Sequence, residues 1–191
     1  MNNPEYVKVG DKKYKINTDF RVAIQCDAIS KNNNIGDYER ALSIIYLLFG
    51  DEGLKDFDNH NQLLELAKKY LNCGKEYKPS KEKPDMDFEQ DIEYIEASFM
   101  SDYQIDLTNT NMHWWKFMKL LNGLSNSELG NCCILNRIRN IRNLDTSNIK
   151  DAKELSKIMD AKEQVALKSQ EKKPTKAQEQ NAEEFWRSMG Y

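Results

Sequence analysis

Apolar side chains recur at Phe88, Ile92, Ile95 and Phe99, steps of four, three and four that lay them along one stripe of a helix. Glu89, Glu93 and Glu96 fall off that stripe and are expected to face water. Asp87 is placed to cap the helix, with Glu89 and Asp91 adding negative charge to its first turn. From Ser101 to Thr110 the pattern changes: Tyr103, Ile105 and Leu107 alternate with Asp102, Gln104 and Asp106, which predicts an extended, half-buried crossing. Thr108 or Thr110 then caps a second helix over about Asn111–Asn122, whose apolar side holds Trp114, Phe117, Met118 and Leu121. Gly123 is expected to end it in the left-handed conformation.

This stretch supplies the candidate core: Phe88, Ile92, Ile95, Phe99, Phe117 and Leu121, packed with Trp114. Burial of each large side chain contributes roughly 1.5–3 kcal/mol. Trp114 and Trp115 point about 100° apart on a helix, so both cannot face one core. One of them is therefore a candidate for a partner interface, where aromatics are enriched.

The same reading runs along the rest of the chain. Tyr6–Val9 and Lys13–Ile16 flank Gly10-Asp11-Lys12 and predict a small β-hairpin. Such a hairpin is marginal alone and must pack on helices or pair with another chain. Thr18 is expected to cap a helix over Asp19–Ser30. Asp37–Phe49 is apolar nearly all round and reads as the central helix, ended by Gly50. A further helix runs from Asp58 or Asn59 to Leu71. Ser125 and Glu128 form a capping-box pattern before a helix reaching about Asn143. Ile149–Leu167 is helical by propensity but weakly apolar.

The expected fold is mainly α: a compact domain of about six to seven helices with a small N-terminal β-hairpin, over residues 1–167. Residues 73–86, with two prolines and no periodicity, form an internal linker. Residues 168–181 read as a flexible linker. Residues 182–191 regain aromatics, and Phe185, Trp186 and Met189 make a short amphipathic turn of the kind used as a docking peptide.

Composition narrows the function classes. The chain has 191 residues, 31% of them charged, and a net charge of −3, which weighs against a general nucleic-acid binder. It contains no run of 18 apolar residues and no N-terminal apolar leader, so neither a membrane span nor a signal peptide is expected. Cys26, Cys73, Cys132 and Cys133 are scattered and read as reduced thiols; with only His60 and His113 beside them, no zinc site is expected. Neither a phosphate-cradling glycine loop nor a nucleophile elbow occurs. The expectation is a non-enzymatic protein without cofactor or metal. Its candidate partner-binding residues are Trp114, Trp115, Phe185, Trp186 and Met189, together with Arg137, Arg139 and Arg142 on the outer side of their helix.

Asp91-Ile92-Glu93-Tyr94-Ile95-Glu96-Ala97-Ser98-Phe99, then Tyr103-Gln104-Ile105-Asp106-Leu107, His113-Trp114-Trp115-Lys116-Phe117 and Leu120–Leu124, resemble a family of small proteins from the tail module of tailed bacteriophages and prophages of Gram-positive bacteria. The resemblance extends to the Thr18–Ile29 helix, to Asp37–Gly50 and to Arg137–Arg142. It implies a tail assembly chaperone that coats the tape-measure protein in the host cytoplasm and is absent from the mature virion. It also implies self-assembly into a ring or spiral, and for many members a longer frameshifted form; the major tail protein is a further candidate partner. Two alternatives stand beside it: a structural tail component retained in the virion, and a DNA-binding regulator using Arg137, Arg139 and Arg142.

Overall fold

Gly10 and Asp11 turn the chain between β1 (Tyr6–Val9) and β2 (Lys12–Lys15), an antiparallel pair in register Tyr6 with Lys15 and Val9 with Lys12. The computed structural model describes residues 3–76, 83–126 and 132–168. Within them stand seven α-helices and one short 3-10 turn, so the protein is mainly α with a small N-terminal hairpin. These residues group into two compact units. Unit 1 holds 3–76 and 112–117; unit 2 holds 83–111, 118–126 and 132–168.

In unit 1 the central element is α2 (Asp37–Leu54), against which both α1 (Phe20–Lys31) and α3 (His60–Leu71) pack. Leu42, Ile44, Ile45, Leu48 and Phe49 of α2 are buried, as its apolar run predicts. Gly50 interrupts the helix at φ 64°, where a side chain would be strained, and a further turn follows to Leu54. The hairpin rests on α2 and α3 through Val9, Tyr14 and Ile16, all buried. Asn17 N–H donates to the Leu48 carbonyl at 2.8 Å, fastening the strand exit to α2. Asp19, not Thr18, caps α1: its carboxylate accepts from Arg21 N–H at 2.8 Å. Thr18 uses its carbonyl instead, which accepts from Trp114 N–H at 2.8 Å.

Residues 112–117 therefore return to unit 1 late in sequence. Phe117 is fully buried there, stacked on Phe20 at 4.7 Å and on Trp114 at 5.6 Å between centroids. Their helix, α5 (Trp114–Asn122), starts three residues after the expected Asn111. His113 Nδ1 accepts from Trp115 N–H at 3.0 Å, doing the work expected of Thr108 or Thr110.

In unit 2, α4 (Ile92–Tyr103) packs on α6 (Ile134–Asn143), and α6 on α7 (Ala152–Gln164). The helix begins at Ile92, not at Phe88, because Asp87 caps a preceding turn, accepting from Glu89 and Gln90 N–H at 3.0 Å. It runs on through Tyr103, where alternation predicts an extended, half-buried crossing, and stops at Gln104 in the left-handed region, φ 56°. Tyr103 O–H donates to the Leu120 carbonyl at 2.9 Å. This explains Gly123 differently from the expected left-handed stop: a Cβ there would lie 2.9 Å from the Tyr103 hydroxyl. The expected helix from Ser125 starts only at Ile134. Ser125 carbonyl accepts from Cys133 N–H at 3.0 Å, and Asn126 bridges Cys132, so these residues face one another rather than wind. Glu128 of the capping-box pattern, residues 77–82 of the 73–86 linker and all of 169–191 lie outside the described residues.

Candidate binding surfaces

Ile95, Phe99 and Phe117 are fully buried and Leu121 nearly so, whereas Phe88 and Ile92 are half-buried. Trp114 is buried, and its indole N–H donates to the Leu71 carbonyl at 2.9 Å. Trp115 is half-buried; its N–H donates to the Tyr70 carbonyl at 2.9 Å and its ring stacks on Tyr70 at 6.1 Å. Both tryptophans thus serve the end of α3, whose last carbonyls have no partner inside their own helix. His113 Nδ1 accepts a backbone N–H, so its proton sits on Nε2, which donates to the Pro4 carbonyl at 2.9 Å.

The three arginines of α6 separate. Arg142 forms a bidentate pair with Asp91, 2.7 and 2.8 Å, and also donates to the carbonyls of Val165 at 2.6 Å and Asp85 at 2.9 Å. Asp91 is fully buried, so a charge read from sequence as a first-turn helix charge is the anchor of unit 2. Arg139 pairs with Asp85 at 3.1 Å and holds Asn136 at 3.2 Å. Asp85 in turn is held below the usual carboxylate range by Arg139 and Asn143, against the opposing effect of its burial. Arg137 alone of the three is exposed. Nothing in the arginine spacing distinguishes these fates; the signal was Asp91, an acid lying next to the Ile92 stripe.

Further polar groups escaped the pattern. Ser98 is fully buried and its hydroxyl accepts from Leu135 N–H at 3.1 Å, satisfying a donor in the first turn of α6. Asn136 is buried and donates to the carbonyls of Leu124 at 3.3 Å and Ser125 at 3.1 Å. In unit 1 Asp56 receives Lys12 at 2.7 Å, the Tyr14 hydroxyl and Asn59 at 3.0 Å. These donors, Lys12 first, lower the Asp56 pKa to about 2 from its ordinary 3.8. A carboxylate with a depressed pKa stabilises the folded state above its unfolded pKa and loses that contribution as pH falls through the folded one. Acid unfolding followed by circular dichroism is therefore expected to flatten between about pH 4 and 2 in Asp56→Asn.

Tyr70 is buried, and among the described residues its hydroxyl has no hydrogen-bond partner. Burial raises its pKa. An unsatisfied buried hydroxyl costs about 1–3 kcal/mol, so Tyr70→Phe is expected to stabilise unit 1 by about 1 kcal/mol, read as a higher urea midpoint. Cys26, fully buried, has its thiol pushed up to about 12 by burial and has no thiolate character at neutral pH.

The exposed apolar side chains are dispersed. Tyr6, Tyr38, Tyr46 and Phe57 stand out from unit 1, the last two 51% and 54% exposed. Met100, Leu144 and Met159 stand out from unit 2. Among the described residues no group of three histidine, cysteine or acidic side chains is placed to hold a metal, and no helix is long and apolar enough to cross a membrane.

The family model for the Bacteriophage Gp15 protein matches residues 2–167, and the chain belongs to that family. It is thus a bacteriophage protein. Comparison with curated proteins and with solved structures returned no match.

Proposed function

We propose that the chain is a non-enzymatic tail assembly chaperone, one that binds the phage tape-measure protein and keeps it soluble in the host cytoplasm until the tail tube forms around it. Membership of the Gp15 family over residues 2–167 carries this reading, together with the resemblance to tail-module proteins of phages of Gram-positive hosts. The surface chemistry is compatible with it. A long helical client exposes apolar stripes that aggregate when bare. Tyr38, Tyr46 and Phe57 on unit 1, and Met100, Leu144 and Met159 on unit 2, offer separate apolar contacts of modest size. Many such contacts give avidity without one tight site, so the coat can be displaced. Self-association in a ring or spiral would extend it along a rod, and absence from the finished virion follows from displacement.

Co-expression with the tape-measure protein encoded beside it tests the reading. The client is expected to be insoluble alone and to co-purify with this chain. Tyr46→Glu with Phe57→Glu is expected to lower the retained client several-fold while leaving the thermal midpoint of the free chain unchanged, since both side chains are exposed. A client equally soluble with and without this chain sinks the proposal, as does recovery of the chain in purified virions.

A further inference from the structure

The outer face of the hairpin differs in charge from the protein that carries it. Ile16 N–H donates to the Glu5 carbonyl at 2.8 Å, which sets the alternation of the ladder. Val7 with Tyr14 and Val9 with Lys12 are then the hydrogen-bonded pairs. The backbone groups of Tyr6, Lys8, Lys13 and Lys15 point away from the partner strand, leaving both edges open beside them. Their four side chains share one face and all are exposed, with the Lys13 ammonium 3.7 Å over the Tyr6 ring. The hairpin region, residues 5–16, holds four lysines against Glu5 and Asp11, a net +2 on a chain of net −3. Pairing of two β2 edges would set Lys13 and Lys15 against lysine. The occupant must bring negative charge and an apolar surface for Tyr6.

We propose that residues 182–189 of this same chain seat on that face. Glu183 and Glu184 meet Lys8, Lys13 and Lys15, and Phe185 with Trp186 covers the Tyr6 ring. This segment lies outside the described residues, and the described chain ends at Lys168. The intervening 13 residues are mostly polar and can span at most about 47 Å when extended. A tether of that length holds its end at roughly millimolar local concentration, which favours the chain's own segment over that of a neighbour at micromolar protein. The proposal does not depend on the client, and its test runs without one.

The test uses the full chain at micromolar concentration. Carbodiimide cross-linking with peptide mapping is expected to join Glu183 or Glu184 to Lys8, Lys13 or Lys15 in species of monomer mass. Independently, acetylation of the Lys8, Lys13 and Lys15 side-chain amines is expected to be several-fold slower than in the double variant Glu183→Lys with Glu184→Lys. Both substitutions lie outside the described residues, and acetylation of exposed Lys69 and Lys153, away from the hairpin in sequence, serves as the internal control and should not change. Equal acetylation of these lysines in both proteins overturns the proposal. Cross-links confined to species of dimer mass also overturn it, since the occupant would then be a neighbour's segment.

Discussion

Asp91→Ala is expected to destabilise unit 2 by about 3–5 kcal/mol, the usual cost of leaving one member of a buried ion pair without its partner. The Asp91 side chain is 1% exposed and that of Arg142 10%, so water cannot replace the lost carboxylate. The guanidinium would still hold the Val165 and Asp85 carbonyls, but with its charge uncompensated. Amide exchange at Leu135, whose N–H is bound to Ser98, reports unit 2 alone and should accelerate in proportion to the loss. The contrast variant is Asp91→Leu with Arg142→Met, which removes both charges at similar volume. It should recover most of the lost stability, because the desolvation penalty disappears together with the attraction. A loss under about 1 kcal/mol in Asp91→Ala would show that the pair is worth no more than a surface salt bridge.

Phe117→Ala is expected to cost unit 1 about 3–5 kcal/mol, the range for deleting a buried phenylalanine. The ring lies between Phe20 and Trp114, nearly parallel to both, at interplanar angles of 9° and 17°. Collapse around the vacated space is restricted, because Trp114 is tied by its indole N–H to Leu71 and by its backbone N–H to Thr18. The loss should therefore fall toward the upper end. Trp114 and Trp115 lie within unit 1, so urea unfolding followed by their fluorescence reads the effect directly. Phe117→Leu, which keeps most of the apolar volume, should cost clearly less; equal losses in the two variants would mean that backbone displacement, not cavity formation, sets the penalty.

The helices with a strong apolar signal were legible in the sequence. The run Ala41–Phe49 and the glycine after it gave α2 and its break, and strand-favouring residues on both sides of Gly10-Asp11-Lys12 gave the hairpin. What the pattern could not give were interactions of polar groups distant in sequence. Alternation over Tyr103–Leu107 imitates a strand, yet Tyr103 belongs to α4 and spends its hydroxyl on Leu120. Ser125 to Glu128 has the spacing of a capping box, but Ser125 is engaged by Cys133 and by Asp102, whose carboxylate accepts its N–H at 2.7 Å. Local propensity is outweighed wherever such partners exist. Among the candidate site residues the sequence marks residue type and not occupancy: Arg137 and Arg142 look alike at a spacing of five residues, and only the position of Asp91 separates an exposed cation from a structural clasp.

Unit 1 is discontinuous: residues 3–76 are completed by 112–117. During synthesis the ribosome must add 77–111 before that piece exists, an interval of about 2–7 s at the 5–20 residues per second typical of translation. Throughout it Phe20 lacks Phe117, and the carbonyls of Tyr70 and Leu71 lack their indole donors. The nascent chain is then an incomplete helical layer with an apolar opening, vulnerable to proteases and to neighbouring nascent chains. Arrest of translation near residue 111 should leave it sensitive to proteolysis in the α1–α3 region, and extension far enough for Phe117 to leave the ribosome should protect it.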